Sequence, residues 1–121
     1  MKIILIPVLF ILAISGDTCK KREGVYKGRL EVKGMCMNYT IKLLEGTIDT
    51  ANIATSWTNE VTGIQYSNVF ALKSVCTFPE SIKEGEEFSF TIDPNPVQNC
   101  AVCLAYYPKP SKGLAIKVVN Q

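Results

Sequence analysis

From residue 26 onward, apolar and polar residues alternate with a period of two over several runs. Tyr26, Gly28, Leu30 and Val32 fall on one side of an extended segment, with Lys27, Arg29, Glu31 and Lys33 on the other. Met37, Tyr39, Ile41 and Leu43 repeat the scheme against Asn38, Thr40 and Lys42. Phe88, Phe90 and Ile92 alternate with Glu87, Ser89 and Thr91, and Leu114, Ile116 and Val118 with Ala115, Lys117 and Val119. This pattern predicts strands with one dry and one wet face. No window carries a comparable helical stripe, so the predicted class is all-β.

Turn residues separate the runs. Glu45-Gly46 ends the second strand, and Thr62-Gly63 divides residues 53–61 from 64–72 as a hairpin. Glu84-Gly85-Glu86 leads into the Phe88 strand, Asp93-Pro94-Asn95-Pro96 ends it, and Pro108-Lys109-Pro110 precedes the last strand. Glycine supplies positive φ and proline removes a ladder donor. Residues 47–52 and 79–83 are each expected to hold a helical turn. Residues 101–107 are apolar on both faces, which predicts a strand covered on both sides or lying at the centre of a sheet. The count is six or seven strands, the spacing of a small antiparallel barrel or a sandwich.

Val69-Phe70-Ala71-Leu72, Phe78-Pro79, Gly85 and Phe88 resemble the strand, connector, strand passage of OB-like barrels, across about a third of the chain. Gly24, Gly28 and Gly34 suit a long, bent first strand. The resemblance implies an OB-like barrel. The alternative is an immunoglobulin-like sandwich with Trp57 as its core tryptophan, although no tyrosine stands two places before Cys100 or Cys103.

Ahead of this pattern lie Met1-Lys2, an apolar run over residues 3–14, and the small residues Ala13, Ser15 and Gly16. That is the layout of a secretory signal peptide over residues 1–15, with cleavage after Ser15. A membrane helix needs about 20 apolar residues, so no span is expected after its removal. Asp17 and Thr18 before Cys19 weaken the alternative of a lipid anchor at Cys19. A single domain is expected over residues 16–121, secreted, periplasmic or otherwise extracellular. Loss of Lys2 leaves 12 basic and 11 acidic residues, a balance of +1. A nucleic-acid partner held mainly by phosphate charge is not expected.

Five cysteines follow the leader: Cys19, Cys36, Cys76, Cys100 and Cys103. In an oxidising compartment they predict structural disulfides. Cys100 and Cys103 have redox-motif spacing. In an extended strand, however, their Cα atoms stand about 10 Å apart, against the roughly 4.4–6.8 Å of a disulfide. Pairing of Cys36 with Cys76 is expected, with Cys19 tied to Cys100 or Cys103. One close cysteine pair is too few for the usual zinc cluster, and no cofactor is expected.

The chain has no histidine, which removes the usual general base and nucleophile pairs. Glu84, Glu86 and Glu87 read as a solvated acidic turn. The basic set Lys20, Lys21, Arg22, Lys27, Arg29 and Lys33 is interrupted by Glu23 and Glu31 and reads as a solvated face. Trp57, Tyr106 and Tyr107, with Tyr66, are the candidate ligand surface. Asn38-Tyr39-Thr40 is a formal glycosylation acceptor. The expected function is non-catalytic binding of a protein or small ligand. The alternatives are thiol–disulfide exchange and protease inhibition by a cross-linked loop.

Overall fold

The computed structural model describes residues 24–119. Seven strands form one sheet: β1 Tyr26–Lys33, β2 Tyr39–Glu45, β3 Ala54–Thr58, β4 Gln65–Leu72, β5 Glu87–Ile92, β6 Gly113–Leu114 and β7 Ile116–Val119. A tight turn, Met35–Met37, joins β1 to β2, with Cys36 and Met37 left-handed at φ 57° and 59°. The ladder order is β3-β4-β2-β1-β5-β7, and the short β6 runs parallel to β4. The other pairings are antiparallel.

The alternating residues build the core. Leu30, Ile41, Phe70 and Phe90 are fully buried, and Phe78 and Phe88 sit beside them. Phe90 contacts Phe70 edge-on at 5.9 Å and stacks on Tyr26 at 5.5 Å. Gly28 permits this: a Cβ there would lie 2.9 Å from the Phe90 ring.

One strand departs from the simple alternation. Leu30 pairs with Ile41 but Val32 pairs with Thr40, so the ladder shifts by one residue at Glu31. Such a bulge moves Val32 to the opposite face from Leu30. Val32, Thr40, Val69 and Ala71 are all buried, yet none belongs to the main core cluster. The predicted wet face is therefore dry at its centre.

The sheet does not close into the expected barrel. Ala71 pairs with Gly113 and Leu72 with Leu114, and β7 pairs with β5 instead. The two short strands are interrupted at Ala115, whose carbonyl accepts from the Asp93 amide at 2.9 Å. Ser74 secures the junction from within: its hydroxyl donates to the Ile116 carbonyl at 2.7 Å and accepts from the Ile116 amide at 2.8 Å. Trp57 is not a core tryptophan. It lies half-buried on β3, outside the main cluster.

Three other expectations change. The stretches at 47–52 and 79–83 are turns, closed by Asn52 N–H to the Asp49 carbonyl and Ile82 N–H to that of Pro79. The hairpin strand ends at Thr58 because buried Asn59 caps the loop, its Oδ1 accepting from the Val61 and Thr62 amides. Residues 101–107 form no strand: residues 101–106 are exposed, and Leu104 is 97% exposed. Pro108 and Pro110 deny the ladder two donors, and the cysteines on either side of Ala101-Val102 hold the backbone elsewhere.

Candidate functional site

The stretch between β5 and β6 contains no helix or strand and is held by individual bonds. An Asx turn starts it, with the Asn95 amide donating to Asp93 Oδ1 at 3.0 Å. Gln98 Nε2 donates to the Lys73 carbonyl at 2.9 Å. Cys100 is then bonded to Cys76, with Cα atoms 5.4 Å apart, and Cys103 to Cys36, 5.3 Å apart. The expected Cys36–Cys76 pairing is thus replaced by two bonds that both end on this segment. Cys100 and Cys103 do not bond each other, although the reason is separate partners rather than a strand. Cys19 lies outside the described residues. Two disulfides are consistent with an oxidising, extracytoplasmic environment.

Beyond Cys103 the anchors are side chains. Asn38 Nδ2 donates to the carbonyls of Ala105 at 3.1 Å and Met35 at 2.9 Å. The Tyr106 hydroxyl donates to Glu60 Oε1, on the β3–β4 loop, at 2.6 Å. That bond, then burial and the Glu60 charge, raises the Tyr106 pKa. The Tyr107 ring sits over Gly34, where a Cβ would lie 2.6 Å from Cδ1. Pro108 and Pro110 are buried, and Lys112 Nζ donates to the Thr50 carbonyl at 2.6 Å.

This segment, the Met35–Met37 turn and the end of β4 enclose a cleft of about 600 Å³, within the range of small-molecule sites. Met37, Leu72, Val75, Val102, Pro110 and the Cys36–Cys103 bond contribute the apolar part of a lining that is more polar than apolar. Lys73 and Lys109 supply charge, Asn38, Gln98 and Ser111 are its other polar residues, and among the described residues no Asp or Glu lines it. The ion pairs among the described residues, Lys27–Glu87 and Arg29–Glu31, involve neither cleft lysine.

The predicted aromatic surface is divided. Trp57 stacks on Tyr66 with centroids 5.6 Å apart. Burial, then the charges of Glu31 and Glu84 and the influence of Tyr107, raises the Tyr66 pKa. Tyr106 points outward, 77% exposed. Among the described residues no ring contact joins the Trp57–Tyr66 pair to Tyr106 or Tyr107. At the formal glycosylation acceptor, the Asn38 amide nitrogen is engaged within the fold and Thr40 is fully buried.

The acidic turn ties strands together. Glu84 accepts from the Lys33 amide at 2.9 Å, and Lys33 Nζ donates to the Glu80 and Ile82 carbonyls while lying over the Tyr39 ring. Lys20, Lys21 and Arg22 lie outside the described residues. Among the described residues no cluster of three or more metal-ligating side chains occurs, and no helix is long and apolar enough to cross a membrane. Sequence reasoning missed Lys73, Gln98 and Leu104. The usable signal was the cysteine pair followed by Pro108 and Pro110, which marks an irregular segment more strongly than its apolar content marks a strand. Comparison with protein-family models, curated proteins and solved structures finds no match.

Proposed function

We propose that this is an exported, non-catalytic binding module whose ligand seat is the cleft beside the Cys36–Cys103 bond. Its ligand is a small molecule with an apolar body and one anionic group. The observation that carries this reading is the lining: among the described residues it holds two lysines that make no ion pair, apolar side chains beside them, and no acidic residue. Unopposed positive charge in a concave site concentrates anions, and the walls remove apolar surface from water.

The connectivity supports the same seat. β1 lies between β2 and β5, β4 follows β2, and β4 meets β6 in parallel. We read this as a partly open, OB-type arrangement with β3 added at one edge. OB-type sheets bind ligands with the connector between their first two strands and the one before their last. Here those connectors are the Met35–Met37 turn and the segment before β6, and both line the cleft. Thiol exchange is less well supported, because Cys100 and Cys103 bond separate partners rather than each other.

The test is fluorescence titration of the disulfide-intact protein with 1-anilinonaphthalene-8-sulfonate, an apolar body bearing one sulfonate. Saturable binding is expected, weakened about tenfold or more by the double variant Lys73→Glu, Lys109→Glu and unaffected by Lys117→Glu on β7. Absence of saturable binding, or equal affinity in the double variant, would overturn the reading.

A further inference from the structure

We propose that Leu104 is the apex of a rigid protease-directed loop, and that the exposed stretch from Val102 to Tyr106 occupies the cleft of an endoprotease whose primary pocket takes large apolar side chains. The proposal rests on exposure and anchoring rather than on the ligand cleft, although Val102 and Cys103 also line that cleft.

Residues 101–110 run without a turn, bend, helix or strand. Val102, Leu104 and Tyr106, two residues apart, are 55%, 97% and 77% exposed, whereas Cys103 between them is bonded back to Cys36. In an extended chain that spacing puts the three side chains on one side. Among the described residues, Ala101 to Leu104 form no backbone–backbone hydrogen bond. Water apart, their amides and carbonyls are free to pair with another main chain. An extended peptide with free main-chain groups and alternate projecting side chains is what a strand-binding polypeptide cleft recognises. A lipid or a sugar uses neither the ladder nor the spacing.

The anchoring narrows the partner to a protease. The residue before Leu104 is bonded to Cys36, and the residue after it accepts from Asn38. Both feet of a three-residue arch therefore stand on the Met35–Met37 turn and Asn38, the residue that caps it. Further out, Cys100–Cys76 holds one side, and Tyr106–Glu60 and Tyr107 over Gly34 hold the other. Hydrolysis of the Leu104–Ala105 bond consumes one water and yields a Leu104 carboxylate and an Ala105 amine. Here the new ends stay tethered to one turn, so the cut products do not diffuse apart and the segment keeps its place in the cleft. A loop already fixed in its bound form loses little further entropy on docking.

The experiment titrates the oxidised protein into chymotrypsin, elastase and subtilisin and follows cleavage of a chromogenic peptide. Near-stoichiometric, competitive inhibition of at least one enzyme is expected. Leu104→Asp should weaken it about 100-fold or more, as loss of a central anchor does, with an unchanged thermal transition because the side chain lies outside the core. Reduction of the disulfides should turn the protein into a substrate cut after Leu104. Failure to inhibit any of the three, inhibition indifferent to Leu104→Asp, rapid cleavage of the oxidised protein after Leu104, or binding of the loop to a protein without inhibition would each overturn the proposal.

Discussion

Phe90 and Leu104 are both large apolar residues, and Leu104 lies in the more continuously apolar run, yet Phe90 is 0% and Leu104 97% exposed. Phe90 sits on β5, hydrogen-bonded to β1 on one side and β7 on the other. Its ring is met by Tyr26, Phe70 and Phe88. Leu104 sits on a segment whose neighbours are drawn inward by a disulfide and an asparagine, and this directs its side chain out. Burial here follows from what the flanking backbone is attached to. In the sheet, repeated pairing fixes each side chain; in the segment, a few individual bonds do.

The first way to break the comparison is to truncate both residues. Phe90→Ala should cost about 3–5 kcal/mol, the usual range for a buried phenylalanine, read as a lower denaturant midpoint. Leu104→Ala should stay within about 0.5 kcal/mol of the parent, as surface changes do. A large loss at Leu104 would mean that the segment is packed rather than presented.

The second removes the covalent hold. Cys36 and Cys103 are 67 residues apart. A cross-link across so long a loop stabilises by about 2–4 kcal/mol, chiefly through the unfolded chain. The variant Cys36→Ser, Cys103→Ser should lose about that much. It should also speed hydrogen exchange at Val102 to Tyr106 far more than at Phe88 to Ile92. Equal acceleration in both regions would show that sheet and segment open as one unit.

The same division marks what the sequence disclosed. Strands β1, β2, β5 and β7 were legible because alternation and turn residues are local signals, and so was the all-β class. The bulge at Glu31 was not, since Leu30 and Val32 are both apolar and nothing local tells which faces the core. The pairing of Cys36 with Cys103 was equally hidden: the cysteines were plain, but their partners depend on where a long connector returns. The apolar stretch at 101–107 predicts burial from apolar content alone, whereas two prolines and two engaged cysteines keep it out of a ladder. The cleft lysines carry no periodic signal and become a pair only in three dimensions.

The smallest expected effect concerns the Tyr106–Glu60 bond, which joins segment to sheet without cross-link or core. The bond holds the proton on Tyr106, so its pKa lies above the ordinary tyrosine value near 10. A group raised in this way contributes its full share below the ordinary value, and loses it as pH climbs through the raised one. The link is therefore intact at neutral pH and weakens only in alkali. Burial likewise raises Tyr39 and Tyr66, so alkaline effects on the whole sheet must be separated from those on the segment. An NMR titration of the Tyr106 ring carbon bearing the hydroxyl makes that separation, because it reports one side chain. Its midpoint should lie above the ordinary value and move back toward it in Glu60→Gln, where an amide oxygen still accepts but the charge is gone. At neutral pH, Tyr106→Phe should lower the backbone order parameters of Leu104 to Tyr106 while those of β5 hold steady. A Tyr106 midpoint at the ordinary value, or order parameters indifferent to the lost hydroxyl, would show that the disulfides and the remaining anchors hold the segment against the sheet without this bond.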